Sequence, residues 1–265
     1  MTMGLVASLL AACSSTRAIP DGEQLYTGMK RTEYTNMQPD EHTRAVMEEL
    51  DVVLATKPNA ALFGSPSMRS PFPIGLWVWN AFSPDTSAFS RWVVRAFGSK
   101  PVLMSHVNPE LHATVGRNLL YKRGYFNGKI NYELLPQTNP KTMKLRYIVN
   151  MGPLWTIDSL RYVNFPPAAD SLLRTDSANA VIHNGDPFDV ATLEKERRRV
   201  TTLFRDNGYY YYQNTDASYL ADTTTIAGKA IMHLQMADSV NARNIRKWRV
   251  NNITINLRKT FMEEL

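Results

Sequence analysis

The apolar positions of this chain follow two spacings, one typical of helices and one typical of strands. A helical spacing precedes Gly124, with apolar residues at i, i+4 and i+8, and another precedes Gly208. The residues concerned are Leu111, Val115 and Leu119 in the first case, and Leu193, Val200, Leu203 and Phe204 in the second. Each glycine lies where the C-terminal cap of a helix belongs. The pattern predicts two amphipathic helices that end at these glycines.

Runs of alternating apolar and polar residues follow each glycine and predict antiparallel strand pairs. After Gly124 the alternating positions are Ile130, Tyr132 and Leu134, and then Met143, Leu145, Tyr147 and Val149. After Gly208 the first predicted strand covers residues 209–212, and the second contains Ala230, Met232, Leu234 and Met236. Polar segments at 136–140 and 222–225 are predicted to be the connecting loops.

The two stretches are copies of one pattern. Gly-Tyr-Phe at 124–126 recurs 84 residues later as Gly-Tyr-Tyr at 208–210. A second match pairs Trp155, Leu160 and Tyr162 with Trp248, Ile253 and Ile255. The repeat predicts an α+β fold of tandem β-α-α-β-β units. The alternative is chance similarity among aromatic-rich strands.

An apolar run opens the chain and ends at Leu10-Ala11-Ala12-Cys13, which holds the only cysteine. About ten apolar residues are too few to cross a bilayer, which takes roughly 20 as a helix, but they suit the core of a signal peptide. We predict a signal peptide at 1–12 and a lipidated, polar tether at 13–22. By resemblance to bacterial lipoproteins, Cys13 would carry the lipid. The alternative is a buried helix with an ordinary core cysteine, which the absence of Lys or Arg before the run favours.

Composition argues against several function classes. The 30 basic and 24 acidic residues are interspersed, so the net charge of +6 indicates no nucleic-acid surface. The five histidines form no HExxH and no i, i+4 pair, and we predict no metal and no cofactor. Glu194, Glu196 and Asp206 lie among basic residues and are interpreted as a solvated helix face, so no enzymatic activity is predicted.

Several landmarks resemble the POTRA arrays of the BamA/TamA family of outer-membrane assembly proteins, and specifically the lipid-anchored TamA-like (TamL-type) branch. They are Gly152-Pro153-Leu154-Trp155-Thr156-Ile157, Phe188-Asp189 before a helix, Asp206-Asn207-Gly208-Tyr209-Tyr210, and Gly98-Ser99-Lys100-Pro101-Val102-Leu103. In the last of these Ser99 stands where that branch usually has an acidic residue. The resemblance implies a first POTRA-like unit at 23–151, a second at 152–240, and the opening strand of a truncated third unit at 241–265. Because the predicted strands are few, we expect no transmembrane barrel in this chain.

Residues 58–101 interrupt the first unit with an aromatic-rich insertion. Its rings are Trp77, Trp79, Phe82, Phe89, Trp92 and Phe97. Two interpretations are open: the insertion covers a neighbouring unit or lies against a membrane surface, or its rings fill the core. We favour core filling.

The resemblance implies a non-enzymatic scaffold in the periplasm, lipid-anchored to the outer membrane. Its partners would be a TamB-like periplasmic protein and nascent outer-membrane proteins. Extended client or partner segments would bind by β-augmentation to an open edge that we expect at Ala230, Met232 and Leu234. One alternative is a cell-envelope lipoprotein enzyme acting on glycan or peptide, with Asp85 and Glu110 as candidate carboxylates. Another is a truncated fragment that folds but assembles nothing.

Overall fold

The computed structural model describes residues 15–256, so the predicted signal peptide and Cys13 lie outside the described residues. The chain divides into two compact units, Met1–Leu154 and Trp155–Leu265. Each is built from helices packed on a small sheet, which confirms the predicted α+β class with two β-α-α-β-β units. Within residues 15–256, no helix combines the length and the apolar character needed to cross a membrane.

The sheet of the first unit is built around one central strand. The unit runs β1 (Leu25–Met29), β2 (Glu33–Thr35), α1 (Glu41–Leu54), a 3₁₀ turn (Leu62–Gly64), α2 (Ile74–Phe82), α3 (Ala88–Phe97), α4 (Met104–Val107), α5 (Pro109–Lys122), β3 (Lys129–Pro136) and β4 (Thr142–Asn150). On one side of β4 lies β3, antiparallel, and on the other side lie β1 and β2, both parallel to β4. The opening strand is therefore split in two, and between its halves the amide of Lys30 donates to the carbonyl of Leu145 at 2.7 Å.

Helices α1 and α5 cover one face of this sheet. Asp40 caps α1 by accepting a hydrogen bond from the amide of Thr43 at 2.7 Å. The buried residues of α1 include Val46, Leu50 and Leu54, and those of α5 are Ala113, Gly116 and Leu120. The predicted face of α5 is therefore wrong for two of its three residues, because Leu111 and Val115 are exposed.

The physical reason is close packing at Gly116. A Cβ added there would lie 2.6 Å from Cδ1 of Ile130 and 3.4 Å from Cδ2 of Leu50 and of Leu54. The helix can approach β3 and α1 this closely only where its residues are small. A periodicity of large apolar side chains does not detect such a face, and in α5 it indicated a different one.

The insertion forms a helical hairpin of α2 and α3 within the first unit. Its C-terminal end is fixed by a hydrogen bond from the amide of Ser99 to the carbonyl of Gly75 at 2.7 Å. Core filling is confirmed only in part: Trp77, Trp79 and Phe82 are half-buried, whereas Phe89, Trp92 and Phe97 are exposed. The reason is that α3 directs Ser90 and Val93 inward, which leaves the rings of its other face outside.

The second unit has the same order of elements without the insertion. It runs β5 (Thr156–Val163), α6 (Pro167–Thr175), a 3₁₀ turn (Ser177–Asn179), α7 (Val190–Asp206), a second 3₁₀ turn (Asn214–Asp216), β6 (Ala217–Asp222) and β7 (Lys229–Met236). The sheet order is β5-β7-β6, with β5 parallel and β6 antiparallel to β7. As predicted, α7 buries Leu193, Val200 and Phe204.

Both predicted helix ends are confirmed. Gly124 and Gly208 have φ of +89° and +93°, and the following residue bonds back to the helix in each case. Tyr125 donates to the carbonyl of Leu120 at 2.9 Å, and Tyr209 to that of Phe204 at 3.0 Å. This five-residue return is the Schellman arrangement, which favours glycine at the left-handed position.

The strand predicted at residues 209–212 is wrong, because this segment is a turn. The amide of Tyr212 donates to the carbonyl of Tyr209 at 3.0 Å, and both rings are buried against Phe204, with centroids 4.6 and 5.4 Å away. Tertiary packing of two tyrosines on the helix outweighs the preference of four tyrosines for a strand. The strand that follows the helix is β6.

The end of the described chain, after the turns within 238–246, has no regular secondary structure. The amide of Trp248 donates to the carbonyl of Gly208 at 2.7 Å, and its ring lies 5.2 Å from that of Tyr211. Residues 257–265 lie outside the described residues, and the third unit stays a prediction.

Candidate functional site

The predicted edge at Ala230, Met232 and Leu234 is wrong, because β7 is the central strand of its sheet. It pairs with β5 on one side and with β6 on the other, and these three side chains are buried. The cause is the parallel pairing of the first strand of the unit with its last strand, which hydropathy alone does not indicate. In residues 15–256 the antiparallel strand with an open outer side is β6 in the second unit and β3 in the first.

The alternation of hydrogen bonds between β6 and β7 identifies which backbone groups of β6 face away from the sheet. Ala237 donates to the carbonyl of Asp216 at 3.0 Å, and opposite residues of an antiparallel pair alternate between bonded and non-bonded positions. The backbone N–H and C=O groups of Ala217, Tyr219 and Ala221 therefore point away from β7. The side chain of Leu220, between the last two, is 54% exposed.

Strand β3 has outward groups at alternate residues in the same way. Gln137 donates to the carbonyl of Thr142 at 3.2 Å, so the outward backbone groups are those of Ile130, Tyr132 and Leu134. Pro136 follows at the next outward position and has no N–H to offer. Both units thus present a short row of outward main-chain groups on the strand after the long helix.

An arginine of that helix binds the first outward carbonyl in each unit. Nη1 of Arg117 on α5 donates to the carbonyl of Ile130 at 3.2 Å, and Nη1 of Arg197 on α7 donates to that of Ala217 at 3.3 Å. Each arginine is also held by a carboxylate of its own helix, Glu110 at 2.9 Å and Glu194 at 2.7 Å. Sequence patterns did not indicate these two arginines, although each lies on the helix that ends at the repeated Gly-Tyr corner.

The expectation that Glu196 is solvated is wrong, because its side chain is fully buried. Its carboxylate accepts hydrogen bonds from the Tyr162 hydroxyl at 3.1 Å, the Val181 amide at 2.8 Å and the Arg199 guanidinium at 2.7 Å. Arg199 also pairs with Asp176. Burial, together with the adjacent Glu196 charge, raises the pKa of Tyr162 to about 12. The network ties α7 to β5 and to the segment after α6, which is a structural role.

The two carboxylates considered for an enzyme have separate structural partners. Asp85 accepts hydrogen bonds from the Ser90 hydroxyl at 2.6 Å and from the Ser87 amide at 3.0 Å, and these bonds lower the pKa of Asp85. A general acid needs a raised pKa. Glu110 is paired with Arg117.

Two of the histidines also make structural contacts: Nε2 of His42 lies 2.9 Å from the carbonyl of Arg123, and Nδ1 of His112 lies 2.8 Å from that of Val53. Across residues 15–256, no three His, Cys, Asp or Glu side chains are grouped so as to hold a metal ion.

No protein-family model and no curated protein matches this sequence. The solved structures to which it is similar include POTRA domains of BamA and Omp85 proteins. POTRA domains 3–5 of BamA from Haemophilus influenzae are 11% identical, with a TM-score of 0.38, over 83% of this chain and 69% of that chain. POTRA domains 1–2 of Omp85 from Anabaena are 14% identical, with a TM-score of 0.34, over 84% and 99%. CdiB from Acinetobacter baumannii is 9% identical, with a TM-score of 0.28, over 89% and 36%.

Proposed function

We propose that this chain is a non-enzymatic scaffold in the periplasm, where it serves an outer-membrane protein assembly or translocation machine of the TamL type. Cys13 would anchor it to the outer membrane through lipid. A TamB-like periplasmic protein and nascent outer-membrane proteins would be its partners. One observation carries the proposal: each unit has an antiparallel strand whose outward main-chain groups no other described strand pairs.

The proposed chemistry is strand addition. An extended segment that lies beside β6 can bond the N–H and C=O groups of Tyr219 and Ala221, and a segment beside β3 can bond those of Tyr132 and Leu134. Main-chain hydrogen bonds depend little on side-chain identity, so the same edge can accept many sequences. This tolerance suits a protein that handles a varied set of unfolded clients.

The test uses Ala221, whose N–H faces outward. Ala221→Pro removes this donor and places a ring on the open side without breaking a bond to β7, because proline is tolerated on an edge. A photoreactive residue at position 220 reports contact with a urea-unfolded outer-membrane protein that is diluted into the assay. We expect crosslinking in the parent and in the control Ala221→Val, which keeps the N–H, and loss of crosslinking in Ala221→Pro.

The proposal fails if Ala221→Pro crosslinks as strongly as the parent while its circular dichroism and urea unfolding are unchanged. The anchor is tested separately by intact mass of the membrane fraction before and after Cys13→Ser. An unmodified mass for the parent would contradict lipidation and leave strand addition intact.

A further inference from the structure

Helix α3 of the insertion exposes a row of aromatic rings to solvent. Phe89, Trp92 and Phe97 are 66%, 59% and 62% exposed. Their rings follow one another along the helix, with centroids 6.2 Å apart for Phe89 and Trp92 and 6.1 Å apart for Trp92 and Phe97. A contiguous exposed row of large rings is characteristic of an interaction surface. We call these three residues the aromatic row.

Basic side chains flank the aromatic row, and α3 contains no acidic residue. Arg91 and Arg95 are both exposed and lie one turn apart beside Trp92. The nearest carboxylate in sequence, that of Asp85, is bound by Ser87 and Ser90 at the start of the helix. Rings of the Trp and Phe type beside arginines match the interface of a bilayer, where rings lie at headgroup depth and arginines meet phosphates.

The start of the described chain lies against the same hairpin. Ile19 is 4% exposed and packs with Leu76 of α2 in a small cluster with Leu25 and Leu103. The bond between Ser99 and Gly75 brings the C-terminal end of α3 beside this point. Five residues lie between Cys13 and Ile19, and the six Cα-to-Cα steps from one to the other span at most roughly 20 Å in an extended chain. A lipid on Cys13 would therefore hold the hairpin close to the bilayer.

We infer that the aromatic row, with Arg91 and Arg95, binds the surface of a membrane that contains anionic phospholipid. This inference rests on the proposed envelope location, and it assigns the insertion a role that strand addition does not need. The hairpin would lie flat on the headgroups and fix the orientation of the first unit at the membrane, while the sheet edges remain available to clients.

The test is flotation of the chain from residue 13 onward with Cys13→Ser, which keeps every described residue and removes the lipid. The vesicles are phosphatidylcholine alone and phosphatidylcholine mixed with phosphatidylglycerol. We expect binding to the mixed vesicles. Phe89→Ser with Trp92→Ser should lower this binding by an order of magnitude or more, because the apolar contact is lost. Arg91→Gln with Arg95→Gln should lower it by about an order of magnitude on the mixed vesicles only.

Tyr210→Ser is the matched control, because Tyr210 is an equally exposed ring, at 67%, in the second unit. It should bind vesicles as the parent does, and so should Ala221→Pro. The inference is overturned if the parent does not float, or if the aromatic double variant floats equally well. It is also overturned if light scattering shows a dimer that the aromatic double variant abolishes, since the row would then bind a second copy. A parent chain that does not float but still crosslinks clients would refute this inference and leave the proposed function intact.

Discussion

Gly116 and Glu196 are both buried, and each lies immediately before the arginine that binds the edge strand of its unit. Gly116 is buried where α5 approaches Leu50 and Leu54 of α1. Glu196 is buried where α7 meets Tyr162, Val181 and Arg199. The residue before this arginine thus lies in close helix packing in the first unit and in an ion network in the second.

The length of the first helix explains the difference. Helix α1 has 14 residues and covers α5 with leucines, whereas α6 has only 9 residues. The segment after α6, with Asp176 and Val181, fills the remaining space in the second unit. Its polar groups need partners once they leave water, and Glu196 with Arg199 supplies them. The comparison shows that the long helix of a unit can bury a glycine against apolar side chains or a carboxylate among hydrogen-bond donors, because each residue has matching partners around it.

The largest expected effect comes from breaking the network. Glu196→Ala would leave Arg199, the Tyr162 hydroxyl and the Val181 amide without their acceptor. We expect the second unit to lose about 3–5 kcal/mol of unfolding free energy, as when one partner of a buried pair is removed. Urea unfolding measures this loss.

Glu194→Ala is the control for this prediction, because that partly exposed carboxylate pairs with Arg197 on the same helix. It should cost about 1 kcal/mol or less. Equal losses for the two variants would show that the buried network has no special role.

A somewhat smaller effect is expected in the first unit. Gly116→Val would place its Cβ 2.6 Å from Cδ1 of Ile130, so that α5 must move away from β3. Overpacking of this kind costs about 1–3 kcal/mol. Asn118→Val, on the exposed face of the same helix, controls for placing a β-branched side chain in α5 without overpacking. If both variants unfold at the same urea concentration, α5 does not depend on a small residue at position 116 for its packing.

The smallest expected effect is a difference between the two hairpin loops in their sensitivity to acid. Asp222 accepts hydrogen bonds from Thr225 and Thr224, and these lower the pKa of its carboxyl well below the usual range. The contribution of this carboxylate to folding stability is therefore fully present above the ordinary Asp pKa of about 3.9. It is lost as the pH falls through the lower pKa that Asp222 has in the folded state. The corresponding loop of the first unit uses Asn139, whose amide oxygen accepts from the Lys141 amide at 3.0 Å and does not titrate.

Amide hydrogen exchange of the two hairpins measures this contrast. Between pH 5 and pH 2 we expect protection to fall in the β6–β7 hairpin more than in the β3–β4 hairpin. Asp222→Asn should remove the difference, and Asn139→Asp should introduce acid sensitivity into the first unit. Equal acid sensitivity of both parent hairpins would contradict the assignment.

The sequence predicted the elements better than their environments. Repeated glycine corners and alternating runs located α5, α7, β3, β4 and β7, because these depend on local periodicity. Periodicity does not report how strands pair, so it cannot show that β7 lies between β5 and β6 and is not an edge. It also selects large apolar side chains, which hid the small-residue face around Gly116 and the buried charge of Glu196. For a related reason, the aromatic content of the insertion does not show which of its rings fill the core, because it does not indicate which side of α3 is buried.

The arginine on the first outward carbonyl shortens the row of main-chain groups that each edge strand offers to an added segment. Because the carbonyls of Ile130 and Ala217 already accept from these arginines, the residues that offer both an outward N–H and an unbonded outward C=O are two on β6 and two on β3. Under the proposed strand addition, so few main-chain hydrogen bonds would let an added segment dissociate readily. A client polypeptide would then bind each edge only transiently, because the arginine limits the number of main-chain hydrogen bonds that the edge can form.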